Sequence, residues 1–167
     1  ATLTGGSGAV AVLVTDGSFG NEAQHQLLGG VSLAAPEHYR LCTWGLESLG
    51  DGMRKQFMST DAVSVLKYGV ELGLQTWQAL LDEMGWSVDD IDKVICHQVG
   101  NANKDAILKS IGVSPERDFA TFGHLGNMGT VSLPLTAAIA SERGFLKSGD
   151  EVAFLGIGSG LNCMMLG

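Results

Sequence analysis

The chain has 167 residues, 45% of them apolar and only 17% charged, which is one domain's worth of sequence with material for a buried core. A formal net charge of −8 argues against nucleic acid as a partner, since that would favour a basic face; a phosphate-bearing ligand needs only a few local donors and stays open. No apolar run reaches the roughly 18–20 residues of a membrane span, and three scattered cysteines (Cys42, Cys96, Cys163) without metal spacing point to a reducing, cytoplasmic setting and no metal.

In chain order, Gly5-Gly6-Ser7-Gly8 leads into Ala9–Thr15, whose small and β-branched residues predict a buried strand. Asp16-Gly17-Ser18 is a turn. Because Ala1 is not an initiator and the first strand-forming run is already under way, the sequence reads as part of a longer protein. Residues 27–34 predict a second strand. Residues 35–56 read as an irregular connection, long enough to line a ligand channel. Ser59-Thr60-Asp61 offers an N-cap to a long helix reaching Met84, with Val63, Leu66, Val70, Leu74, Trp77 and Leu81 on one face. Gly69 and Gly73 each cost that helix about 1 kcal/mol relative to Ala, which close packing against another element would justify.

A turn over residues 88–92 enters a short strand, Val94–Cys96, that ends on His97. A helix over 103–111 is stopped by Gly112. Residues 119–121 predict a short strand running into a turn at His124–Gly129. A helix over 131–143 follows, with Pro134 in its first turn and Leu135, Ala138 and Ile139 inward. Residues 151–155 and 161–166 are strands joined by Gly156–Gly160, hence antiparallel partners. The alternation predicts a layered α/β domain with a mixed sheet.

Three polar, glycine-rich turns carry the candidate chemistry. His97 stands at the exit of a buried strand, where α/β proteins place their sites. Cys96 next to it points to the opposite face of the strand and reads as core rather than as a Cys–His nucleophile. Asn127, between glycines, is either a turn former or an amide donor for a carbonyl or a developing oxyanion. Gly158-Ser159-Gly160 is either a plain hairpin or a turn whose Ser159 N–H serves an oxyanion hole. It is not a nucleophile elbow, since a strand rather than a helix follows. A metal held by His97 and His124 lacks a nearby carboxylate. A His and an Asn bring two donors with no acid and no nucleophile, which suits polarising a thioester carbonyl or stabilising an enolate.

His97-Gln98, then Gly126-Asn127-Met128-Gly129-Thr130-Val131-Ser132-Leu133-Pro134, then Gly156-Ile157-Gly158-Ser159-Gly160, in this order and spacing, resemble the C-terminal half of thiolase-fold condensing enzymes of the ketoacyl-ACP synthase III branch. Gly5–Ala11 looks like the glycine-rich strand that opens that half. Gly156–Cys163 together with His97-Gln98-Val99 is most similar to the OleA-type enzymes, which join two long-chain acyl-CoA molecules head to head in olefin biosynthesis.

The resemblance implies that residues 1–167 form one C-terminal thiolase-like half. It would be a five-stranded mixed sheet with helices packed on it, in a complete enzyme layered α-β-α-β-α. It implies an acyltransferase making a β-keto acyl product by Claisen condensation of thioesters, with acyl-CoA as substrate, no separate cofactor and acyl carrier protein as a further candidate partner. His97 and Asn127 would be catalytic, Ser159 would give an oxyanion-hole N–H, and Gly100, Asn101, Gly158 and Gly160 would contact substrate. The family's pantetheine-contacting Asn is Gly100 here, with Asn101 one residue later. None of the three cysteines stands in the family's nucleophile context, so the nucleophile is expected from an N-terminal half and the complete enzyme is expected to be a homodimer. The alternatives are a synthase III priming fatty-acid synthesis, or a non-catalytic partner subunit of the same fold.

Overall fold

The computed structural model describes residues 5–18 and 25–167. The main sheet has the order β1-β6-β5-β4, from β1 (Gly30–Ala34), β6 (Asn162–Leu166), β5 (Val152–Gly158) and β4 (Lys93–Cys96). β4 and β5 are parallel, and β6 is antiparallel to both β5 and β1, so the sheet is mixed and the glycine-turn hairpin is as expected.

One face is covered by α1 (Ala62–Met84) and α2 (Asn101–Ile111). Val94, Cys96, Ala153, Leu155, Cys163 and Met165 alternate onto that face and pack with Leu72, Trp77, Leu80 and Leu108. α4 (Ser132–Glu142) covers the other face: Leu133 lies where a Cβ on Gly156 would come within 3.1 Å of its Cδ1.

α1 starts where the sequence signals it. Asp61 accepts the Ser64 N–H at 3.0 Å, and Gly85 ends the helix in the left-handed region (φ 65°). Its buried face is Gly69, Leu72, Gly73, Thr76, Trp77, Leu80 and Leu81, rotated from the expected stripe, with Val63 80% exposed. Two neighbours explain the rotation: the sheet takes the 72/76/80 side, while Leu66 and Val70 border a cavity. Gly69 and Gly73 are there for contact. An added Cβ would meet Ile157 Cδ1 at 3.2 Å and Ile107 Cδ1 at 2.8 Å.

Other expectations are corrected. The sheet has four strands among the described residues, not five. Ala9–Thr15 takes no ladder and exposes Val12, Leu13 and Val14; its neighbourhood holds only a single bridge, Gly5 to Asn127. The outer edge of β4, where a fifth strand would add, is bridged at Val94 by Asp118.

The connection at 35–56 is not irregular. A 3-10 helix (Pro36–Leu41) precedes β2 (Cys42–Gly50) and β3 (Met53–Thr60), a separate antiparallel ribbon. Asp51 and Gly52 both have positive φ (48° and 78°), the mirror-image turn that an Asp-Gly pair favours. Residues 119–121 are not a strand; Thr121 gives its N–H to a side chain, and a single-turn helix, α3 (Phe122–Leu125), follows. In α4 the inward positions are Ser132, Thr136 and Ala140, and Ala138 faces solvent.

Gly30 lies where β1 meets β6, and a Cβ there would come within 2.8 Å of the Met165 carbonyl oxygen. Strand propensity alone would favour a β-branched residue. Gly30→Val should instead destabilise the complete protein by about 1–3 kcal/mol, read as a lower urea midpoint with an unchanged denaturant slope.

Candidate active site

The C-terminal ends of β4 and β5 open on a cavity of about 420 Å3, within the size range of small-molecule sites. His97, Asn127, Gly158 and Ser159 all line it, so the three turns converge as the sequence predicted. Gly100 and Asn101 lie instead on a small hollow beside His97, together with Lys104 and Phe122. Gly160 lines neither space. The remaining wall is largely apolar. α1 gives Val65, Leu66, Gly69 and Val70, and the base of the β2–β3 ribbon gives Cys42 and Met58.

His97 continues the β4–β5 pairing one step beyond the strand, its N–H donating to the Leu155 carbonyl at 2.9 Å. Burial holds its imidazole below the ordinary histidine value of 6.5, because a charged ring loses water there. The ring is thus neutral at neutral pH, with one N–H to donate.

Asn127 sits between Gly126 and Gly129, both in the left-handed region (φ 70° and 62°). Its Oδ1 accepts the Gly129 N–H at 2.9 Å, which leaves the Nδ2 amide as the donor end of the side chain. The turn is held from outside as well: Gly6 donates its N–H to the Asn127 carbonyl at 2.9 Å. A Cβ on Gly6 would collide with the Leu125 carbonyl oxygen, so only glycine allows this approach. The β5–β6 turn is fixed by Asn162, whose amide donates to the Ser159 carbonyl at 3.0 Å.

All three cysteines border the cavity, and burial pushes the Cys96 and Cys163 thiols up, away from the thiolate a nucleophile requires. Among the described residues no three His, Cys, Asp or Glu side chains gather to hold a metal ion.

Sequence reasoning missed the layer behind His97. The Gln98 side chain, 2% exposed, makes three bonds to main-chain groups of two segments. Asp118 accepts the Cys96 N–H at 3.2 Å, and its other oxygen lies 4.0 Å from the Lys104 ammonium. Gln98 was legible only as a letter of the His-Gln motif. Asp118 lies 22 residues from the strand it bonds, and no local pattern announces that contact.

Burial raises the Asp118 carboxyl; its hydrogen bonds with the Cys96 N–H and thiol pull it back, and the Lys104 ammonium adds to that pull. A raised folded-state value means that stability falls as pH climbs past the unfolded carboxylate value. Lys104→Met removes the compensating charge and steepens that fall. It should cost about 2 kcal/mol at pH 7, a figure kept low because Lys104 is partly exposed, and clearly less near pH 4. The Lys104→Met/Asp118→Asn pair should recover part of the loss; denaturant titrations at both pH values measure this.

The family model for the 3-oxoacyl-[acyl-carrier-protein] synthase III C terminal matches residues 81–166. An acyl-CoA:acyl-CoA alkyltransferase of Shewanella oneidensis is 58% identical over all of this chain and 48% of its own length. One of Xanthomonas campestris is 36% identical over 99% of this chain and 46% of its own. The crystal structure of a Cys-to-Ser variant of Xanthomonas campestris OleA with bound lauric acid and lauroyl-CoA superposes with a TM-score of 0.74 at 37% identity, covering 84% of this chain and 39% of that one. The chain therefore spans about half the length of the curated relatives it matches. Sheet, helices, ordered motifs and relatives agree: this chain belongs to the 3-oxoacyl-[acyl-carrier-protein] synthase III C-terminal family and has the thiolase-like fold of the condensing enzymes.

Proposed function

We propose that residues 1–167 are the C-terminal catalytic half of an enzyme that condenses two long-chain acyl-CoA thioesters into a β-keto acyl product. The observation that carries this is the convergence of two neutral donors, the His97 imidazole and the Asn127 amide, on one apolar cavity. In this reading both donate to the carbonyl oxygen of the second thioester. That withdraws electrons from the carbon beside it, and once a base has taken a proton there, the enolate oxygen stays between the two donors. In an apolar cavity such fixed donors are worth far more than in water.

The enolate carbon then attacks the acyl group carried on a cysteine. The new carbon–carbon bond forms, the carbon–sulfur bond to that cysteine breaks, and the thiolate leaves. The Ser159 N–H, at the cavity rim, is assigned to the oxyanion of that collapse, and Gly158 and Gly160 to shaping its turn. Gly100 and Asn101, beside the small hollow, are assigned to the pantetheine side of the substrate. The elevated Cys96 and Cys163 thiols support a nucleophile supplied by an N-terminal half, with the complete enzyme a homodimer in the cytoplasm and acyl-CoA a substrate rather than a cofactor. No helix among the described residues is long and apolar enough to cross a membrane.

The family model favours a second reading, a synthase III in which the enolate arises when a malonyl group bound to acyl carrier protein loses carbon dioxide. Product from myristoyl-CoA alone supports the first reading, and a strict need for malonyl groups supports the second. A non-catalytic partner subunit has no use for either donor, and both are present.

In the complete enzyme, His97→Ala or Asn127→Ala should lower condensation by about 10²–10³ while acylation of the cysteine by the first substrate proceeds; normal condensation by His97→Ala overturns the assignment. Because the ring is held neutral by burial, the acid limb of the condensation profile should fall below pH 6.5, the ordinary histidine value.

A further inference from the structure

We propose that Gln98 is a positioning residue that sets the spacing between His97 and Asn127; this rests on the reading of those two residues as the donor pair. Gln98 lines no part of the main cavity; it borders only the small hollow beside His97, is 2% exposed, and has both ends of its carboxamide engaged by main chain rather than free for a ligand. Its carboxamide is spent on main-chain groups from two segments. Nε2 donates to the Cys96 carbonyl at 2.6 Å, which folds the side chain back over the strand end that carries His97. Oε1 accepts the Thr121 and Phe122 N–H groups, each at 2.9 Å.

Those two N–H groups open α3, a helix of one turn that stops at Gly126, immediately before Asn127. A single turn does not stand alone, because its nucleation cost is not recovered by propagation. Its starting N–H groups need an acceptor, and the residue placed to cap it does not do so: the Thr121 hydroxyl is paired with Thr136 of α4 at 2.6 Å. The cap comes from Gln98, 23 residues earlier.

From there the connection to Asn127 is continuous. Leu125 donates to Thr121 at 2.9 Å and Gly126 to Phe122 at 3.0 Å. Gln98 is thus the side chain that ties the imidazole loop and the amide loop into one body. Only an uncharged amide of this length serves: Glu has no donor for the Cys96 carbonyl, Asn is one methylene short, and Leu leaves three main-chain groups unpaired.

The test uses the complete enzyme with Gln98→Leu and the isosteric Gln98→Glu, and measures cysteine acylation, condensation, KM for acyl-CoA and thermal midpoint separately. Misplacing one donor by about 1 Å is enough for a 10²-fold loss, so condensation should fall about 10–100-fold. Acylation and KM should stay within about threefold of the parent. Equal loss of acylation and condensation together with a lowered midpoint overturns the proposal in favour of a purely structural role, and no loss in either overturns it outright. Should Gln98→Leu fail to fold, Gln98→Glu carries the same comparison. The donor-pair reading fails separately, by normal condensation in His97→Ala or Asn127→Ala, whatever the Gln98 variants do.

Discussion

The peptide groups on either side of Cys96 are held from three directions, and the placement of the His97 ring follows from them. The Cys96 N–H goes to Asp118, its carbonyl accepts from Gln98, and the next N–H, that of His97, goes to Leu155. A strand end ordinarily frays because its ladder stops. Here the bonds beyond the ladder come from buried side chains, where an unmade bond would cost its full desolvation. The imidazole therefore leaves a fixed piece of backbone although it lies past the last residue of β4.

That rigidity suits a site built from neutral donors. A charged group attracts an oxyanion over several ångströms and tolerates imprecision. A carboxamide and an uncharged imidazole act only at hydrogen-bond distance and angle, so their placement carries the chemistry. Burial serves the same end twice. It keeps the His97 ring uncharged, and it sets the two donors against a largely apolar wall, where dipoles count for more than in water. The cost appears one layer back, where Asp118 is a buried carboxylate balanced by a lysine at 4.0 Å.

The regular elements were largely legible because their signals are local. α1 has a side-chain cap and a left-handed glycine stop, and the β5–β6 hairpin has its glycine turn. The three turns were legible for the same reason, as glycines beside a single polar residue. The β2–β3 ribbon was not, since β3 is exposed along its whole length and shows no inside–outside alternation; only Asp51-Gly52 marked it. Ala9–Thr15 has a strand's composition, but pairing depends on a neighbour that composition does not reveal. Gln98, Asp118 and Gly6 escaped because each acts on main chain far away in sequence, through bonds that no spacing rule encodes.

The glycines of α1 have a consequence of their own. Gly69 and Gly73 line the same cavity as the donors, and each packs against an isoleucine rather than against His97 or Asn127. Cavity volume and donor placement are therefore written in different parts of the sequence. Exchanging one of these glycines, or the Ile157 and Ile107 that nestle against them, changes the room in the cavity while the bonds that hold the donor loops stay as they are.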